Sequence, residues 1–230
     1  DVLQRPRKDA RAAAMVARAR EFYDAVIVHG DPNVLRLEQS FVETAQIAER
    51  LIYTGYICAD IPQRDEPRRE ILVSAGGGAA GGALIATALE ARQHCRTQAP
   101  WTLVTGPLTQ MPAPIEGVTV VKSLPDFRTR LANAAVSISQ AGYNTLVETV
   151  KARTPAIVVP FETDREQEQL TRAKAFAARG LVRVMRARDL EAKALARLVD
   201  ATAGSVPSAA SMDFDGAAGT VRAIKAVLPR

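Results

Sequence analysis

Three short segments carry residue types that could bind anions and hydroxyl groups. The first is the glycine run Ser74-Ala75-Gly76-Gly77-Gly78-Ala79-Ala80-Gly81-Gly82, set between an apolar stretch and a helical one. Without Cβ atoms a backbone turns tightly and can approach a phosphate, and a helix N-terminus offers unpaired N–H groups to anions. Residues 76–81 also satisfy G-x-G-x-x-G. A dinucleotide site of that kind wants an acid about 20 residues on, at the end of the second strand. Thr105-Gly106 stands there instead, which argues against NAD. A tight turn with no ligand remains open for this run.

The second segment is Ser139-Gln140-Ala141-Gly142-Tyr143-Asn144-Thr145-Leu146-Val147-Glu148. Gly142 and its small neighbours let a helix start approach a pyrophosphate, where the helix dipole favours negative charge. Asn144 and Thr145 add hydrogen-bonding groups. Glu148 follows less than two turns into the helix, close enough to reach back and accept from both hydroxyls of a ribose. Taken alone, it would read as a solvated helix residue. The third segment, from Pro160-Phe161-Glu162 through Glu168-Gln169 to Arg172-Ala173, is rich in acids and amides. Such groups suit a polyhydroxyl ligand, although acids are also ordinary in the first turn of a helix.

The elements that must position these segments alternate. Strands are expected at 70–74, 101–105, 118–122, 135–139, 155–160 and 181–185, and helices at 83–93, 126–133, 143–151, 166–179, 190–201 and 216–227. That alternation predicts βαβ units, hence an α/β fold with a Rossmann-like, doubly wound, six-stranded parallel sheet. Each of the three segments then falls at the C-terminal end of a strand, where such sheets bind ligands. Ahead of them come a helix at 9–22, a strand at 23–28, a turn at His29-Gly30-Asp31-Pro32, a short helix at 41–49 and a strand at 50–56. These are too few for a complete domain. Residues 59–69 are polar, hold two prolines and read as a linker. The division is 1–58 for the end of a preceding domain, 59–69 for the linker and 70–230 for the sheet domain.

The chain has 230 residues, 47% apolar and 24% charged, as in an ordinary globular protein. Its apolar runs are far short of the ~20 residues that cross a bilayer. Two cysteines, Cys58 and Cys95, lie far apart with no metal-ligand spacing, which suits a reducing cytoplasm. The net charge of +5 favours anionic partners, but the arginines are scattered and aromatics make up only 5%. Nucleic acid is therefore not expected as a partner. The first residue is Asp, so the chain is read as processed or as a piece of a longer protein.

Taken in order, 28–32 (VHGDP), 53–56 (YTGY), 75–82, 139–145 (SQAGYNT), 160–173 and 213–217 (DFDGA) resemble glycosyltransferase family 28, and within it a MurG-like branch. The resemblance covers nearly the whole chain. It implies the C-terminal half of a GT-B glycosyltransferase with a remnant of the N-terminal, acceptor-binding domain. It implies a nucleotide-sugar donor, UDP-linked, carrying a hexose or N-acetylhexosamine. By position, the Gly76-Gly77-Gly78 turn and the Gly142-Tyr143-Asn144-Thr145 helix start would flank the diphosphate. Glu148 would hold the ribose, Ser123 and Leu124 would offer backbone to the base, and Glu168 and Gln169 would bind the sugar.

Such enzymes need no metal, because helix ends and side chains stabilise the leaving diphosphate. Asp213-Phe214-Asp215 does spell D-x-D, the metal motif of another glycosyltransferase fold, but its place before a helix reads as an N-cap. The family's base lies in the N-terminal domain, so the catalytic residue is unassigned. His29 is a weak candidate beside a structural or hinge role. The piece is expected to bind donor but not to complete transfer alone. A UDP-sugar hydrolase or epimerase on the same fold, or a donor-binding subunit that needs a partner, stays open. Basic charge and the lipid acceptors of related enzymes add peripheral association at the inner membrane face to the expectations.

Overall fold

Branched apolar strands covered on both faces should pair in parallel with helices above and below, and the computed structural model has that arrangement. It describes residues 10–64, 66–76, 81–113, 115–163, 166–209 and 211–228. In chain order the elements are α1 (Ala10–Phe22), β1 (Val26–Val28), β2 (Leu51–Tyr53), β3 (Glu70–Ser74), α2 (Gly82–Arg92), β4 (Trp101–Val104), β5 (Val118–Val121), α3 (Phe127–Asn133), β6 (Ala134–Ser139), α4 (Tyr143–Lys151), β7 (Ala156–Val158), α5 (Glu168–Ala177), β8 (Arg183–Val184), α6 (Ala192–Thr202) and α7 (Gly216–Val227). The described residues fall into two units. One comprises Asp1–Cys58, Glu162–Ala175 and Ser211–Arg230, the other Ala59–Phe161 and Phe176–Ala210.

The second unit holds the six-stranded sheet, in the order β5-β4-β3-β6-β7-β8 with every pairing parallel. The chain builds outward from β3 to β5, then returns to the other side of β3 with β6. That reversal is the topological switch point of a Rossmann-like sheet. Side chains alternate between faces. Ile71, Val73, Trp101, Leu103, Val136 and Ile138 pack beneath Leu84 and Ala88 of α2 and Leu195 and Val199 of α6. Leu72 and Val104 meet Leu131 of α3 on the other face. In α6 the buried residues Ala192, Leu195, Ala196, Val199 and Thr202 form one helical stripe. Each buried Leu or Val contributes roughly 1.5–3 kcal/mol.

Two arginines tie the sheet down. Arg130 donates to both oxygens of Glu70, at 2.9 and 2.5 Å, and to Thr102 Oγ1 at 2.8 Å. Residues 59–69, read as a linker, carry no helix or strand among those described. They are nevertheless anchored: Arg68 donates to the carbonyls of Ala132 (3.0 Å), Ala134 (2.9 Å) and Arg153 (2.7 Å). Burial lowers the pKa of this guanidinium, and Arg64 adds to the effect.

In the first unit β1 and β2 form a two-stranded parallel sheet. Its core is Ala12 and Val16 of α1 with Leu37, Phe41 and Ile47. Several elements are shorter than expected. The strand expected at 23–28 begins at Val26, because the Tyr23 N–H still donates to Ala19 O at the end of α1. The strand expected at 50–56 stops at Tyr53, before Gly55 turns with φ +87°. The helix expected at 41–49 is a 3-10 segment, Val42–Arg50, interrupted at Ile47. The helix expected at 166–179 is Glu168–Ala177, since the Glu166 N–H is taken by Thr163 Oγ1 at 3.0 Å.

The last helix, α7, packs within the first unit rather than with the sheet of the 70–230 segment. Two glycines allow this. A Cβ on Gly219 would lie 2.2 Å from Thr54 O, and one on Gly216 2.6 Å from Gly55 O. Among the described residues no helix is long and apolar enough to cross a membrane.

Replacing Gly219 with Ala sets a gain of ~1 kcal/mol in helix propensity against an overpacking cost of ~1–3 kcal/mol or more. A backbone carbonyl cannot swing aside as a side chain can, so we expect Gly219→Ala to lower the midpoint of urea unfolding. Burial pushes the Cys95 thiol up to about 11, and Asp200 adds to the shift. The thiolate is the reactive form, so Cys95 should resist iodoacetamide at pH 8 and react only as the pH nears 11. Peptide mapping of labelled protein checks this.

Candidate functional site

The strand ends at the switch point create the site. Parallel register sets Ser74 of β3 between Val104 of β4 and Ser139 of β6, so the turns after β3 and β6 leave the sheet side by side. Gly76 follows with φ +71°. A Cβ there would come within 3.4 Å of Gln140 Oε1, which shows how near the two turns approach. Ala75 and Gly81 touch as well, since a Cβ on Gly81 would fall 2.3 Å from that of Ala75. Gly142 occupies the N-cap of α4 in extended conformation, with φ −62° and ψ 145°. A Cβ at Gly142 would meet nothing within 4 Å.

Above these tips opens a pocket of about 260 Å³ lined by Ser74, Gly76, Val104, Gly106, Pro107, Lys122, Ser123, Leu124, Phe127, Thr145 and Glu148. A second pocket of about 410 Å³ shares Leu124, Phe127 and Glu148 with the first and adds Asp60, Pro62, Pro125, Asp126, Arg128 and Thr129. Glu148 therefore stands in the wall common to both. Its side chain is only 13% exposed and accepts a hydrogen bond from Arg128 Nε at 2.8 Å. Ser139 Oγ, at the tip of β6, is buried and has no hydrogen-bond partner among the described residues.

The sequence profile of the Glycosyltransferase family 28 C-terminal domain matches residues 73–223, which include all of these tips. The chain belongs to that family. No curated protein matches it in sequence. Among solved structures, CalG4, the calicheamicin glycosyltransferase, is similar with a TM-score of 0.67 at 19% identity, over 94% of this chain and 55% of its own. MurG of Acinetobacter baumannii gives 0.55 at 17% identity, over 84% and 68%. UGT89C1 of Arabidopsis thaliana, complexed with UDP-L-rhamnose, gives 0.56 at 16% identity, over 88% and 55%. These likenesses carry the fold, the Rossmann-like half of a GT-B glycosyltransferase. The chain spans about half the length of CalG4 and UGT89C1.

Of the residues expected in the site, the family 28 domain brings Gly76, Ser123, Leu124, Thr145 and Glu148 to one pocket. Gly142, Tyr143 and Asn144 form the start of α4 beside it without lining it. Gly77 and Gly78 lie outside the described residues. Glu168 and Gln169 belong to the first unit. There Glu168 is buried and ion-paired with Arg172 one turn along α5.

His29, also in the first unit, is exposed, and its Nδ1 shares hydrogen bonds with Thr54 Oγ1 (3.1 Å) and Thr220 Oγ1 (3.4 Å). Asp215 does take the N-cap of α7, but its side chain makes no capping hydrogen bond and pairs with Arg222 at 3.1 Å. Asp213 Oδ1 accepts from the Asp215 N–H at 2.8 Å instead. Among the described residues no group of three or more His, Cys, Asp and Glu side chains is arranged to hold a metal.

Sequence reasoning passed over Lys122, Arg128 and Gln140 as site residues. Lys122 adjoins the expected Ser123 and was readable as the one cation at that strand tip. Arg128 was not, because nothing in its spacing announces that α3 turns it towards Glu148.

The two site glycines should behave differently. Ala in the left-handed region costs ~1–2 kcal/mol, so Gly76→Ala should destabilise the domain by about that amount. Gly142 has ordinary dihedrals and open space, so Gly142→Ala should leave stability within about 0.5 kcal/mol. Urea unfolding of both variants checks the contrast.

Proposed function

We propose that this family 28 domain binds the nucleotide-diphosphate end of a UDP-sugar and serves as the donor half of a sugar transferase. One observation carries the reading: Gly76, Thr145 and Glu148, from two turns that neighbour across β3 and β6, share a single pocket. In this reading the diphosphate lies against the Gly76 turn and the N-terminus of α4, where free N–H groups and the helix dipole favour it. Lys122, on the rim of the same pocket, adds a positive charge. The unpartnered Ser139 hydroxyl supplies a donor beside the turn. Backbone at Ser123 and Leu124 meets the base, and Glu148 accepts from the ribose hydroxyls.

In the transfer itself the anomeric carbon gains an acceptor oxygen and loses the bond to the diphosphate. The domain's contribution is to stabilise the charge that develops on that leaving group. Donors fixed by backbone at two turns serve this purpose, because they need not reorganise as charge builds. We assign neither the acceptor site nor the base to this chain, and transfer as proposed needs an acceptor-bearing domain.

The test is calorimetric titration with UDP, UDP-GlcNAc, UDP-galactose, GDP and NAD. UDP and its sugars should bind, and GDP and NAD should bind far more weakly. Loss of a charged hydrogen-bond acceptor costs about 1.5–3 kcal/mol, so Glu148→Ala should weaken UDP roughly 10- to 100-fold. Equal binding of GDP, or full UDP affinity in Glu148→Ala, would sink the assignment.

A further inference from the structure

We infer that Arg128 is the residue that positions Glu148, and so sets how well this site holds the nucleoside. The inference rests on the donor-site reading above and adds to it a residue that the motif did not supply. Glu148 projects from α4 and Arg128 from α3, twenty residues earlier in the chain. Their side chains meet at 2.8 Å in the wall shared by both pockets.

The burial of the pair is unequal. The Glu148 side chain is 13% exposed and that of Arg128 51% exposed. The guanidinium thus covers the carboxylate from the solvent side. A glutamate side chain that orders only when ligand arrives loses rotamer freedom at that moment, which opposes binding. One already held by a guanidinium has lost it beforehand, which favours binding. The hydrogen bond from Nε uses one acceptor site of a carboxylate that has about four. Acceptor capacity therefore remains for ribose hydroxyls.

Charge points the same way. Among the described residues that line the larger pocket, Asp60, Asp126 and Glu148 are acidic and Arg128 is basic. Three carboxylates lining one pocket without a cation would repel one another and push Glu148 out of place. Arg128 offsets that repulsion next to the acid that is needed. A lysine would keep the charge but not the planar fork that fixes a carboxylate's orientation.

The test is calorimetry with UDP and with uridine, using wild type, Arg128→Met, Arg128→Lys, Glu148→Ala and the Arg128→Met/Glu148→Ala double variant. The pair is only partly buried, so each variant is first melted to establish that it is folded at the titration temperature, and affinities are read on folded protein. We expect Arg128→Met to weaken UDP and uridine by a similar factor, roughly tenfold, with Arg128→Lys in between. In the Glu148→Ala background Arg128→Met should change nothing further, the signature of two residues acting as one.

Unchanged affinity in Arg128→Met while Glu148→Ala is impaired overturns the inference and leaves the donor-site reading standing. So does a loss that adds in full to that of Glu148→Ala. A loss confined to UDP that fades with salt also overturns it, because Arg128 then acts on phosphate through its field. Failure of the wild type to bind UDP, or full affinity in Glu148→Ala, removes the donor-site reading and this inference together.

Discussion

Everything at the site follows from the parallel pairing of β3 with β6. That register, with Ser74 opposite Ser139, sets two strand-to-helix turns one strand spacing apart, about 4.8 Å. Had the chain added β6 to the outer edge of β5, the glycine turn and the start of α4 would stand several strands apart. The pairing persists because both strands are buried on both faces: Ile71, Leu72, Val73, Val136 and Ile138 are essentially inaccessible. A slip of one residue would turn each of them to the wrong side.

Around this pairing the domain divides its labour by residue type. Apolar side chains from α2 and α6 clamp one face of the sheet, and a smaller cluster with α3 closes the other. Arginines fix the places where backbone would otherwise lack partners, as Arg68 does for three carbonyls. Arg130 gathers Glu70 and Thr102. The strand tips are left for small residues, where the backbone itself can meet a ligand. The family 28 match covers all of these strands from Val73 on, and the likeness to CalG4 is one of fold.

The shortfalls of sequence reading have physical causes. Strand ends near Tyr23 and Tyr56 were overestimated because apolar residues continue past the point where hydrogen bonding stops. The Tyr23 N–H belongs to the helix before it, and Gly55 has already turned. The place of α7 could not be read from its amphipathic pattern, which shows that a face is buried but not against what. The decisive signal was the spacing of Gly216 and Gly219, small residues where backbone meets backbone. Arg128 was missed for a related reason. A single arginine on a short helix has no motif, and its meaning depends on a helix that enters the chain later.

By itself the sequence determined what was local and periodic: six apolar strands alternating with helices, glycines where the chain must turn, and an ordered set of motifs that marks family 28. Those follow from side-chain alternation and backbone sterics within a few residues. Only the tertiary structure decided which turns become neighbours, which side of Glu148 is covered and which unit receives the last helix. Those outcomes depend on strand order and on packing between residues far apart in the chain. Local preference carries no record of either.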